Sequence, residues 1–72
     1  MPEKLTTTQE KIYAYIAGYI EDNKYSPTYQ EIAMRMDSTT QMVESHVKNI
    51  AKKGFIRFNG KKHRRIELIP AN

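Results

Sequence analysis

At three places within its first 41 residues the chain sets a hydroxyl three positions ahead of a Gln or Glu: Thr6-Thr7-Thr8-Gln9, Thr28-Tyr29-Gln30-Glu31 and Ser38-Thr39-Thr40-Gln41. This is the spacing of a capping box, in which the hydroxyl accepts from a first-turn amide and the later side chain reaches back to the capping residue's own amide. Three helix starts so close together allow only short helices joined by tight turns. After the first start, Ile12, Ile16, Tyr19 and Ile20 recur at i, i+4, i+7 and i+8, with Tyr13 on the edge, which predicts a buried stripe ending near residues 21–24. Pro27 disfavours helix for the residue before it, so the second helix opens just beyond, with Ile32, Ala33 and Met36 inward. A break of about two residues around Asp37 precedes a third helix burying Val43, Val47, Ile50 and Ala51. Gly54 supplies the left-handed residue that helices favour at their C-terminal end.

Beyond Gly54 the period changes to two. Phe55-Ile56-Arg57-Phe58 and Arg65-Ile66-Glu67-Leu68-Ile69 alternate like strands, and Asn59-Gly60 between them is a tight-hairpin signal. The expected fold is mainly α with a small β-hairpin, a three-helix winged helix-turn-helix. It fills residues 1–72 as a single domain, since 72 residues leave no room for a second core or a deep active-site cleft.

Several kinds of chemistry have no residues to carry them. There is no cysteine for a disulfide or a thiolate metal site. His46 and His63 lie 17 residues apart without carboxylates at ligand spacing, so no metal is expected. No nucleophile stands with a base and no Gly-rich phosphate loop is present, so neither catalysis, a cofactor nor a small-molecule ligand is expected. No apolar run approaches the roughly 20 residues of a membrane span, and Met1-Pro2-Glu3-Lys4 is not followed by a signal-like apolar stretch. The expectation is a cytoplasmic, nucleoid-associated protein with no membrane contact.

Charge points instead to a polyanion. Residues 1–47 hold four basic and seven acidic side chains (−3), whereas residues 48–72 hold eight basic and one acidic (+7). On a helical wheel with Val43 and Val47 inward, Gln41, Ser45, Lys48 and Lys52 point outward and Glu44 flanks them. Gln, Ser, Glu and Lys are side chains that can pair with base edges in a major groove. The hairpin tip adds Lys61, Lys62, His63, Arg64 and Arg65, suited to phosphates or an adjacent minor groove. Thr28 and Tyr29, at the start of the second helix, are further candidates for a phosphate because free amides lie there.

Leu5-Thr6, Ser26-Pro27-Thr28 with Glu31-Ile32-Ala33, then Val43, His46-Val47, Ile50, Lys53-Gly54-Phe55-Ile56 and Arg65-Ile66-Glu67-Leu68 together resemble the N-terminal DNA-binding domain of LexA repressors, over residues 4–69. The resemblance implies a three-helix bundle with a hairpin wing, a sequence-specific repressor linked to the SOS response, and a third helix that enters the major groove. Carried over position by position, Thr39, Thr40, Gln41, Met42, Glu44 and Ser45, with Lys48, occupy the base-reading end. Charge and the start of the second helix, read independently of the resemblance, assign Lys52, Lys53, Lys61, Lys62, Arg64 and Arg65 to the backbone with Thr28 and Tyr29. The chain departs from the family in two places. Its turn at Met36-Asp37-Ser38 is about one residue shorter and lacks the usual Gly and following apolar residue, and its recognition residues differ from those typical of LexA. LexA repressors also continue into a dimerising, self-cleaving domain with a Ser-Lys dyad. Without one, this chain is expected to be a fragment or a free-standing relative that does not cleave itself. Its tight binding would then need a second copy or another regulator protein.

Two other uses of the same fold remain open. A module that docks on a partner regulator would need an apolar patch on the third helix, where Gln41, Glu44, Ser45 and Lys48 are polar. A double-stranded RNA binder would use the same basic face without reading bases.

Overall fold

The computed structural model describes residues 4–60 and 64–69. Helix α1 spans Thr7–Asn23, α2 Tyr29–Met36 and α3 Thr40–Lys52, followed by strands β1 (Ile56–Phe58) and β2 (Ile66–Leu68). The strands pair antiparallel, with Ile56 opposite Leu68, Arg57 opposite Glu67 and Phe58 opposite Ile66.

Two of the three predicted capping boxes form. The Gln9 amide donates to Thr6 Oγ1 at 3.2 Å while the Thr6 amide donates to Gln9 Oε1 at 3.1 Å. Thr28 and Glu31 reciprocate in the same way, at 3.1 and 2.8 Å. The third start is shifted by one residue. Thr39 is the cap and accepts from the Met42 amide at 3.2 Å, so Gln41 does not close a box and its amide group stays available on the surface. The cause lies in the turn before it. Asp37 takes a left-handed conformation (φ 54°), and the Ser38 amide donates to the Ala33 carbonyl at 2.9 Å, which makes residues 37–39 the connection. Asp tolerates this region better than most non-glycine residues, so it fills the position where a glycine would be expected.

Helix α3 ends as its sequence predicts. Gly54 adopts φ 90°, its amide donates to the Ala51 carbonyl at 3.0 Å, and the Phe55 amide donates to the Ile50 carbonyl at 3.3 Å. This pair of bonds is a Schellman motif, and it turns the chain directly into β1. The predicted hairpin forms, with pairing that stops at Phe58 and Ile66 and an Asn59 amide that donates to the Arg65 carbonyl at 2.8 Å.

Every element contributes to one core of Ile12, Ile16, Ile32, Ala33, Val43, Val47, Ile50, Ile56 and Ile66. Tyr19, Ile20, Met36 and Ala51, predicted to face inward, are only half-buried, at the rim of that core. Ile50 is fully buried where α3 meets both the other helices and the hairpin. Ile50→Ala should therefore cost about 2–5 kcal/mol, and urea unfolding followed by circular dichroism would measure it.

Candidate nucleic-acid interface

The outward face of α3 follows from its inward one. With Val43, Val47 and Ile50 buried, the exposed side chains include Thr39, Thr40, Gln41, Ser45, Lys48 and Lys52. Glu44 is half-buried on the flank of this face and pairs with Lys48 at 3.2 Å. Met42 is 54% exposed but turns aside: it lines a groove with Thr8, Lys11, Asp37 and His46, and its sulfur accepts from the Ser38 hydroxyl at 3.6 Å.

A second surface forms where the start of α2 meets the wing. Pro27, Thr28, Tyr29, Gln30, Arg64, Arg65 and Ile66 line one concavity. The Arg65 guanidinium lies between two rings, 5.3 Å from the centre of Tyr29 and 5.2 Å from that of Phe58, and donates to the Tyr29 hydroxyl at 3.1 Å. That hydrogen bond, before the weaker influence of Glu44, raises the Arg65 pKa above its ordinary value. Thr28, Tyr29 and Arg65, chosen separately from the sequence, thus share one site.

Two other predicted backbone contacts are occupied inside the molecule. Lys53 Nζ donates to Gln9 Oε1 at 2.7 Å and to the Lys4 carbonyl at 3.0 Å, tying the end of α3 to the capping box of α1. Arg64 reaches across to Glu31, with Nη1 2.9 Å from Oε1 and Nη2 3.3 Å from Oε2. Its Nη1 also lies 3.0 Å from both the Tyr19 hydroxyl and the Ser26 carbonyl, and its guanidinium stacks 4.6 Å from the centre of the Tyr25 ring. Both side chains found internal acceptors that sequence spacing cannot reveal, 44 and 33 residues away. Lys61 and Lys62 lie outside the described residues.

The sequence reading missed three contributors. Ser26 is buried, and its hydroxyl accepts from the Ile66 amide at 3.2 Å, anchoring the returning strand. Gln9, a capping residue by sequence, is also the acceptor for Lys53. Tyr19, assigned to the core, donates its hydroxyl to Glu31 Oε2 at 3.2 Å. The only sequence signal was the polar character of Ser26 and Gln9 in segments that had to be covered.

A profile of the LexA DNA binding domain matches residues 2–65. The chain belongs to the LexA DNA-binding domain family. It is 39% identical over 67 residues to the LexA repressor of Thermosipho melanesiensis, covering 93% of this chain and 34% of that protein. Against the LexA repressor of Syntrophobacter fumaroxidans it is 35% identical over 68 residues, covering 92% and 33%. Against that of Thermosipho africanus it is 36% identical over 67 residues, covering 93% and 34%. The chain thus spans about a third of the length of these curated relatives. It is a DNA-binding domain of the winged helix-turn-helix type. Among the described residues, no helix is long and apolar enough to cross a membrane.

The Glu31 carboxyl is held below the ordinary glutamate range, chiefly by the Thr28 amide and further by Arg64 and Tyr19, against the opposing effect of burial. A carboxylate lowered in the folded state stabilises the fold above its unfolded value of about 4.3 and loses that contribution as pH falls through the lower folded value. Glu31→Gln should therefore flatten the decline in urea midpoint below about pH 4.3, compared with the unsubstituted chain measured in parallel.

Proposed function

We propose that the chain binds a defined duplex DNA sequence with α3 in the major groove and the wing on the flanking backbone, and that it represses transcription from that site. One observation carries this reading: an exposed helix face with hydrogen-bonding side chains stands beside a concavity in which Arg65, Tyr29 and the start of α2 come together. Gln41 and Ser45 are at the centre of that face and read base edges, as Gln does bidentately with adenine. Thr39, Thr40 and Met42 border the same end. Lys48 serves guanine or phosphate, and Glu44 accepts from a cytosine amino group when released from Lys48. Thr28, Tyr29, Lys52 and Arg65 hold the phosphates and set the register. Lys61 and Lys62 add wing charge. A single domain of this kind gains affinity by acting as a pair of copies or beside another regulator, with half-sites spaced accordingly.

Selection from a randomised duplex pool, followed by titration of the selected DNA against scrambled DNA at two salt concentrations, tests this. A preferred sequence bound far above scrambled DNA supports it. Salt-sensitive binding with no preference, or equal binding to duplex RNA, would replace it with recognition by shape and charge.

Two substitutions separate the roles. Gln41→Ala should lose about 1–3 kcal/mol at one contacted base pair and relax preference there. Arg65→Gln should weaken binding to all duplexes alike and reduce the slope of log affinity against log salt by about 0.9. Titrations on selected and scrambled DNA read both.

A further inference from the structure

Arg64 stands two residues before the strand that returns from the wing, and it is held more fully than a surface arginine needs to be. Its two terminal nitrogens meet a carboxylate from α2, a hydroxyl from α1 and a carbonyl from the loop between them. Tyr25 covers its face. Its backbone takes φ 50°, a left-handed conformation that costs a non-glycine residue strain and persists only where the surroundings enforce it. The hairpin beside it has three residues per strand, too little to stand alone. Immediately after Arg64, the Ile66 amide is tied to the Ser26 hydroxyl and the Arg65 carbonyl to the Asn59 amide.

We propose that Arg64 is a positioning residue, a clamp that fixes the wing to α1 and α2 and thereby aims Arg65 across Tyr29, instead of touching phosphate itself. Nη1 already faces three acceptors with its two hydrogens, so a phosphate could take that nitrogen only by displacing Glu31, Tyr19 or the Ser26 carbonyl. Held in place, those same partners set where the wing leaves the body of the domain. The proposal rests on the DNA-binding reading only for the consequence of the clamp; the clamp itself belongs to the free protein.

Three variants of the full chain test it. Tyr19→Phe removes one hydroxyl, Glu31→Gln removes the carboxylate charge while keeping a residue able to close the capping box, and Arg64→Gly removes the guanidinium while relieving the left-handed backbone. Amide hydrogen exchange of the free protein is read at Ile66, with Val47 in the middle of α3 as the reference for global unfolding. Exchange at Ile66 relative to Val47 should accelerate about threefold in Tyr19→Phe and about tenfold in Glu31→Gln, the range for a neutral and a charge-assisted hydrogen bond, and furthest in Arg64→Gly. In duplex titrations Arg64→Gly should bind less tightly, and Glu31→Gln no more tightly than the unsubstituted chain although it has lost a negative charge. Unchanged Ile66 exchange in all three variants would overturn the clamp. So would weaker binding by Arg64→Gly combined with tighter binding by Glu31→Gln, the pattern of a phosphate contact freed from a competing carboxylate. If the unsubstituted chain binds no duplex, the functional reading fails while the exchange data still judge the clamp.

Discussion

Nine aliphatic side chains make up the buried apolar core of the described residues, and no element supplies more than three of them: two from α1, two from α2, three from α3 and one from each strand. Such short elements cannot bury their apolar faces in pairs, so each depends on the others being in place. Val43, Val47 and Ile50 of α3 sit in one cluster with Ile12 and Ile16 of α1 and Ile32 and Ala33 of α2. This packing rotates α3 so that Gln41, Ser45, Lys48 and Lys52 face outward. The polar face is thus a consequence of core packing.

Polar contacts then lock the periphery of that core. Lys53 joins the end of α3 to the start of α1, and Arg64 joins the end of the wing loop to α1 and α2. In both cases a cation meets a side chain already used to cap a helix, Gln9 in one and Glu31 in the other. Capping leaves each of these side chains with unused acceptor capacity, since an oxygen that takes a backbone amide can take a second donor. The same residues therefore begin a helix and hold a distant segment against it. This ties the interface to the stability of the fold, because the wing that carries Arg65 is held by a residue that also starts α2.

Much of the fold could be read from the chain. The capping residues Thr6, Gln9, Thr28 and Glu31 act within four residues of one another, and the Gly54 reversal is equally local, so spacing alone locates them. The third helix start was displaced because Asp37 accepted the left-handed turn and moved the cap to Thr39. The two strands of the wing were legible from their alternation, but the anchoring of Ile66 on Ser26 and of Arg64 on Glu31 was not, because both partners come from outside the hairpin. For the interface, the exposed face of α3 followed directly from periodicity, while the division of the cations between surface and interior did not.

The sequence by itself determined where the helices begin, which face of α3 is apolar and that positive charge gathers in the C-terminal third, because these depend on residues within a turn or two of one another. Only the tertiary structure decided which cations remain available. Lys53 and Arg64 are basic residues in a basic segment, indistinguishable by composition from Lys52 and Arg65. Folding brought acceptors from residues 4–31 within 3.3 Å of the first pair and left Lys52 exposed and Arg65 between two rings at the edge of a groove. A hydrogen bond of that length requires the partner's position in space, and no spacing rule along the chain encodes it.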